Sequence, residues 1–223
     1  MRCSLSILLI LITCTLVGQS RDVEIWNPPV GQDRFLVTFN NDFWLNTPSD
    51  VSLRPYSPGI SAFIMYDYPF GKSPISFAWG YGFSSHNVHH DGYFAQDSTV
   101  SGSFTALLPH SDGYTFKKNK LSSNYVEIPL ELRLRTKGEN QFKLYLGGKV
   151  GYAVNVHSKT IDDDGKRKFY GVENMMPLRY GVSGTIGYNG IALSGFYSLS
   201  PMFEEGKGID LIPISIGLTF FLL

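Results

Sequence analysis

The chain has 223 residues, with 19 Lys and Arg against 19 Asp and Glu, two cysteines and an aromatic content of 14%. A balanced charge argues against nucleic-acid binding, which demands a basic surplus. After the N-terminal segment no window approaches the ~18 apolar residues of a spanning helix, so any membrane insertion must use strands.

The first segment, MRCSLSILLILITCTLVGQS, has a basic residue at Arg2, an apolar run from Leu5 to Val17 and a small residue at Gly18. That layout predicts a secretory signal peptide over residues 1–19, cleaved near Gly18 or Gln19, followed by a periplasmic segment over 20–33. Cys3 and Cys14 both lie inside it, so the mature chain is expected to carry no thiol. Lipidation at Cys14 ranks below ordinary cleavage, because Thr13 is a poor match to the small residue wanted before it.

From residue 34 onward the hydrophobic pattern has period two, and eight strands are predicted. The first, 34 to 44, sets Phe35, Val37, Phe39 and Phe43 against Arg34, Thr38, Asn40 and Asp42. The second, 59 to 68, has Ile60, Ala62, Ile64 and Tyr66 on one face, while Phe63 and Met65 interrupt the other. The third, 75 to 85, opposes Phe77, Trp79, Tyr81 and Phe83 to small residues including Ala78, Gly80, Gly82 and Ser84. The fourth, VEIPLELRLRT over 126 to 136, puts Ile128, Leu130, Leu132 and Leu134 opposite Glu127, Glu131, Arg133 and Arg135. The fifth, 141 to 156, carries an apolar face from Phe142 to Val156 opposite Lys143, Tyr145 and Lys149. The sixth, 175 to 188, opposes Leu178, Tyr180, Val182 and Ile186 to Arg179, Ser183 and Thr185; the seventh runs from 191 to 200 and the eighth from 211 to 221.

Connections alternate between long and short, with long ones at 45–58, 86–123, 157–174 and 201–210. Loop length and face parity are linked, since facing residues in a hairpin share a side of the sheet. The sixth and seventh strands have apolar faces of opposite parity, which requires an even turn, and Asn189-Gly190 supplies one pairing Tyr188 with Ile191. The fourth and fifth have equal parity, so a three-residue loop of Gly138, Glu139 and Asn140 is expected, with Asn140 left-handed.

The alternation does not say which face looks inward. A one-sided soluble strand is ~5 to 6 residues long, whereas a tilted spanning strand needs ~9 to 11, and the fifth strand is longer still. Trp44, Trp79, Tyr188, Phe220 and Phe221 near strand ends fit aromatic girdles at two interfaces. The expected fold is therefore all-β, an eight-stranded antiparallel up-and-down transmembrane barrel over 34–223 with short periplasmic turns and long extracellular loops. Eight strands leave a lumen that side chains fill. Glu127, Glu131, Arg133, Arg135, Lys143, Lys149 and Arg179 are assigned to a charge network there, with Glu131 diagonal to Lys149 and within ion-pair reach.

Strands returning from long loops begin alike, in VEIPLEL, NMMPLRY and DLIPISI, and proline is expected at rims where loop becomes strand. The EIPL segment Glu127 to Leu130, the LGGKVGY strand Leu146 to Tyr152 and the closing IPISIGLTFFLL resemble the outer-membrane β-barrel family of Bacteroidota often called PorT-like. The resemblance implies a bacterial outer-membrane location and a last strand read by the barrel-insertion machinery. Some relatives serve gliding-associated secretion. Outer-membrane lipid is thus an expected partner, an extracellular or periplasmic protein a candidate one, and no nucleic acid or cofactor is implied.

Three constellations in the sequence could carry chemistry. His86, His89 and His90 in SSHNVHHDG are candidate metal ligands, although a solvated loop accounts for them better because no carboxylate or thiol has the spacing of a fixed site. Asp162, Asp163, Asp164 and Gly165 mimic a calcium loop, but an EF-hand register would put Gly171 where the bidentate Glu must stand, so an exposed turn is expected. Ser84, Ser85 and His86 would suit a lipid hydrolase at the rim only with an orienting carboxylate, and none is assignable, so no enzyme is expected. The reading is a structural or binding barrel that uses its extracellular loops, with a rim enzyme, a small channel or a secretion component as alternatives.

Overall fold

The computed structural model describes residues 33–97, 103–111, 113–138 and 140–222, so the predicted signal peptide lies outside the described residues. Eleven strands follow in order: β1 Phe35–Leu45, β2 Pro58–Pro69, β3 Ile75–His89, β4 Gly92–Asp97, β5 Phe104–Pro109, β6 Lys118–Arg135, β7 Phe142–Asp162, β8 Gly165–Tyr170, β9 Leu178–Tyr188, β10 Ile191–Ser198 and β11 Ile212–Leu222. Eight of them, β1, β2, β3, β6, β7, β9, β10 and β11, form a closed antiparallel ring, sealed by β11 pairing back onto β1 from Phe35↔Leu222 to Leu45↔Ile212. Closure leaves the barrel wall no unpaired edge, the condition for crossing hydrocarbon with strands. The remaining three strands belong to long loops: β4 and β5 form a hairpin, and β8 pairs with the far end of β7.

The wall is turned with its aliphatics outward. Phe39, Leu132 and Leu146 are each more than half exposed, whereas Glu127 and Arg133 are 1% and 0% exposed. A contiguous apolar exterior around a charged interior is the lipid-facing arrangement. Phe63 and Met65, which interrupt the polar face of β2, point inward and pack with Leu36 and Ala78. Gly80 and Gly82 on β3 make room for them: a Cβ at Gly80 would stand 2.5 Å from the Met65 sulfur, and one at Gly82 would stand 2.4 Å from Phe63 Cδ1.

Both parity arguments hold. Tyr188 faces Ile191 across a turn with Asn189 at φ 52°, and Arg135 faces Lys143. In the second turn the positive φ falls on Gly138 (111°) rather than on Asn140, and the Phe142 N–H closes it by donating to the Thr136 hydroxyl oxygen at 2.8 Å.

Four expectations need correction. β6 and β7 are 18 and 21 residues long, well beyond the ~9 to 11 that span a bilayer, so their ends stand clear of the membrane. Pro129 therefore lies inside β6 rather than at the rim; it is buried, and the β3–β6 ladder lapses between Trp79↔Leu130 and Gly82↔Glu127, where proline has no N–H to give. Trp44 is not in a girdle but buried inside the barrel at the long-loop end, and Phe221 turns inward against Tyr145, while Trp79 and Tyr188 are lipid-facing. Finally, β7 carries a bulge: Asn124 faces Asn155 while Tyr125 faces Ala153, leaving Val154 without a partner. Beyond it the inward parity of β7 changes from odd to even numbers, as one extra residue requires.

Candidate functional site

The short-turn end of the lumen holds a charge cluster built by β2, β6, β7 and Asp33, two residues before β1. Arg133 Nε donates to Glu131 Oε2 at 2.8 Å and its other arm lies 3.5 Å from Asp67. Arg135 bridges Asp67 and Asp33, and Lys143 Nζ lies 2.6 Å from Asp33 Oδ1. Tyr145 donates its hydroxyl to Asp33 Oδ2 at 2.6 Å, and the Arg133 guanidinium lies 4.7 Å from the Tyr145 ring centre. Cations and carboxylates thus alternate, which is what burial of so many charges requires.

Mid-lumen, Ser84 donates to Glu127 Oε2 at 2.5 Å. The Arg179 guanidinium lies over the Tyr125 and Phe196 rings, and Lys149 Nζ over Phe63 and Phe196 at 5.0 and 5.2 Å. Lys149 faces Pro129 with Glu131 diagonal to it, yet Glu131 is bonded to Arg133 instead of forming the ion pair that register alone suggested. Cation–π contact takes the place of that pair.

His86, the first of the three histidines, belongs to the lumen. Its Nδ1 lies 2.8 Å from Asp42 Oδ1, and Ser215 donates to the same carboxylate oxygen at 2.6 Å. A histidine, an aspartate and a serine are therefore together, but Ser215 lies on the Nδ1 side, 3.5 Å away, where the aspartate already sits. A nucleophile would have to face Nε2. The adjoining cavity is about 10 Å³, too small for a substrate.

His89 ends β3 on the face opposite His86, beside Lys120, and His90 lies just past the strand, so the three do not converge; among the described residues no three His, Cys, Asp or Glu side chains group as a metal site. His90 is fully buried, with ring centres 5.4 Å from Trp44 and 5.6 Å from Phe94. It forms part of a hydrophobic cap in which long loops meet over the lumen: Val51 and Leu53 from the first, Phe94 and Leu107 from the second, Val172 and Met175 from the third, and Met202, Phe203 and Leu211 from the fourth. The solvated-loop reading of these histidines thus gives way to packing. Burial holds both imidazoles well down, each to about 4.

Asp162 to Gly165 form the β7–β8 hairpin turn, with Asp162 facing Gly165. Asp163 and Asp164 are exposed, but Asp162 turns inward, held by Arg167 and by the Tyr114 hydroxyl at 2.6 Å. The site residues missed from sequence are Asp33, Asp42, Asp67 and Tyr125. Alternation already placed Asp42 and Asp67 on inward faces; Asp33 and Tyr125 lie outside the predicted strands.

A closed eight-stranded ring with an apolar exterior and a filled, ion-paired lumen defines an outer-membrane β-barrel. Residues 33–204 match the outer membrane protein beta-barrel domain family, and the chain belongs to it. No curated protein matches the chain. Among solved structures it is similar to Ail, the attachment invasion locus protein of Yersinia pestis, at 10% identity and a TM-score of 0.34, over 83% of this chain and 93% of that one.

Proposed function

We propose that this outer-membrane barrel is a structural or binding protein that presents its fixed extracellular loops, rather than a channel or an enzyme. One observation carries the reading. The loops are knitted into a hydrophobic cap above a lumen in which the space between Leu36, Phe63, Glu131, Lys149 and Phe196 is a cavity of only about 30 Å³. A filled lumen offers no conducting path, and a packed cap offers a surface of defined shape. The resemblance to PorT-like barrels of Bacteroidota supports export through a cleaved signal peptide and assembly through the C-terminal strand. An extracellular or periplasmic protein is the partner class this reading implies.

Two measurements test it together. Planar-bilayer recording of the purified barrel should show no steady conductance, and replacing the described loop residues 92–97 and 103–109 with a short linker should leave insertion intact while abolishing partner capture. Steady single-channel currents would overturn the reading, as would lipid hydrolysis by the reconstituted protein.

A further inference from the structure

Above the bilayer, β3, β6, β7 and β8 continue as one sheet, and the outward face of its β6, β7 and β8 part is lined with lysine. Lys120 faces the buried His89 on one side and Lys159 on the other, and Lys159 in turn faces Lys168, so three ammonium groups stand in one cross-strand row, that of Lys120 also donating to the Asn87 side-chain oxygen. The next row holds Lys118, Ile161 and Lys166, and the row on the membrane side holds Ser122, His157 and Tyr170. Side chains directly opposite on a sheet have Cβ atoms ~5 Å apart, and like charges so placed are destabilising. Among the described residues none of these five lysines has a carboxylate within ion-pair distance. The hairpin's own carboxylates look elsewhere, Asp162 to Arg167 on the inner face and Asp163 to Lys117 at 3.4 Å. Burial, then repulsion from Lys118, Lys159 and Lys168, brings the Lys120 ammonium down to about 8. A concentrated, unneutralised positive face is a cost to folding that an external anion would remove.

Its place in the fold selects the anion. On β6 the even-numbered residues face outward, so Lys118 and Lys120 continue the same surface as Val126's neighbours Ile128, Leu130 and Leu132, which face lipid. On β7, Lys159 is five residues beyond Val154, the last exposed apolar residue of that strand. At ~3.3 Å per residue and a tilt of ~40°, that puts the row ~12 Å above the hydrocarbon, within reach of a phosphorylated sugar headgroup once the lysine stems extend. The face looks sideways over the leaflet, not up toward the medium.

We propose that the outward face of the β6–β7–β8 extension, through Lys118, Lys120, Lys159, Lys166 and Lys168, binds phosphate groups on the glycolipid headgroups of the surrounding outer leaflet. The row clamps phosphates between neighbouring lysines, and Tyr170 beside His157, with ring centres 5.2 Å apart, offers an aromatic surface for a sugar. This binding anchors the rotational position of the barrel and is separate from partner capture by the cap.

The test uses the full barrel in neutral detergent, titrated with fluorescently labelled rough lipopolysaccharide and with the same material stripped of phosphate by hydrofluoric acid. The wild type should bind the phosphorylated form at least tenfold more tightly, and the preference should shrink as salt is raised. The combined variant Lys120→Gln, Lys159→Gln, Lys168→Gln should lose about a hundredfold in affinity, at ~1 kcal/mol per membrane-facing lysine. Lys137→Gln, at the opposite end of the barrel, should bind as the wild type does. Heat-modifiable gel mobility of each variant reports that the barrel has formed; were the combined variant not to fold, Lys168→Gln alone on the exposed strand must still weaken binding severalfold. Equal binding of the two lipid forms, or no loss in the lysine variants, overturns the proposal. Tighter binding of soluble polyphosphate than of the lipid, per phosphate, also overturns it, by assigning the face to a soluble polyanion.

Discussion

Lys143 Nζ and Asp33 Oδ1 lie 2.6 Å apart with both residues buried, joining the start of β7 to the residue that leads into β1. Asp33 also accepts from Tyr145 and pairs with Arg135, so its carboxylate is the anion on which three side chains from β6 and β7 converge. Removing one partner of such a buried pair leaves an uncompensated charge.

Asp33→Ala should therefore destabilise the barrel by about 3 to 5 kcal/mol. Thermal unfolding in detergent measures it. Lys143→Met alone should also cost stability, and the double variant should cost less than the sum of the two, because they share one interaction. Strict additivity would show that Asp33 and Lys143 do not act as a pair.

Single cysteines along β7 should react with a membrane-soluble probe at residues 146, 150 and 152 and stay protected at 145 and 149. Past the bulge the phase should reverse, with 157 and 159 open to a water-soluble reagent and 156 and 158 less so. On the same wall, Leu146→Arg should impair assembly by about 2 to 4 kcal/mol, since its side chain, 58% exposed, meets lipid. Uninterrupted alternation from 142 to 162 would refute the bulge, and a tolerated Leu146→Arg would refute the lipid-facing assignment.

Acid should loosen the cap before the wall. His90 is held to about 4 against an ordinary value of 6.5, first by burial, with Asp91 opposing and His110 and His89 adding to the depression. The unfolded loops then bind the proton more readily than the folded cap. Stability is fully present above about pH 6.5 and is lost as pH falls through about 4. Hydrogen exchange should show protection of residues 51–53, 104–109 and 202–211 collapsing in that window while β1 to β3 stay protected. His90→Phe, which keeps a ring between Trp44 and Phe94, should move the collapse about one pH unit lower, the remainder belonging to His89.

Alternation in the sequence determined the ring of eight strands, the outward set of Phe, Leu, Ile and Val, and the registers of the two hairpins checked by parity. Those features depend on neighbours two residues apart or on loops of a few residues, and so they leave a local pattern. VEIPLELRLRT shows it most plainly, with Glu127, Glu131 and Arg133 all inside the lumen. Partner choice within the lumen was decided only by the tertiary structure. Lys149 had Glu131 in diagonal reach, but the ring of strands brought Phe63 and Phe196 across the barrel to it and gave Glu131 to Arg133. The cap was equally hidden, because His90, Trp44, Phe94 and Phe203 come from different strands and loops and no periodicity links them. The bulge at Val154 lies between the two cases: one unpaired residue changes the parity of all that follows in β7, and nothing in the pattern before it announces the change. Contacts whose members are far apart in sequence cost loop-closure entropy and are chosen by what the closed barrel places face to face.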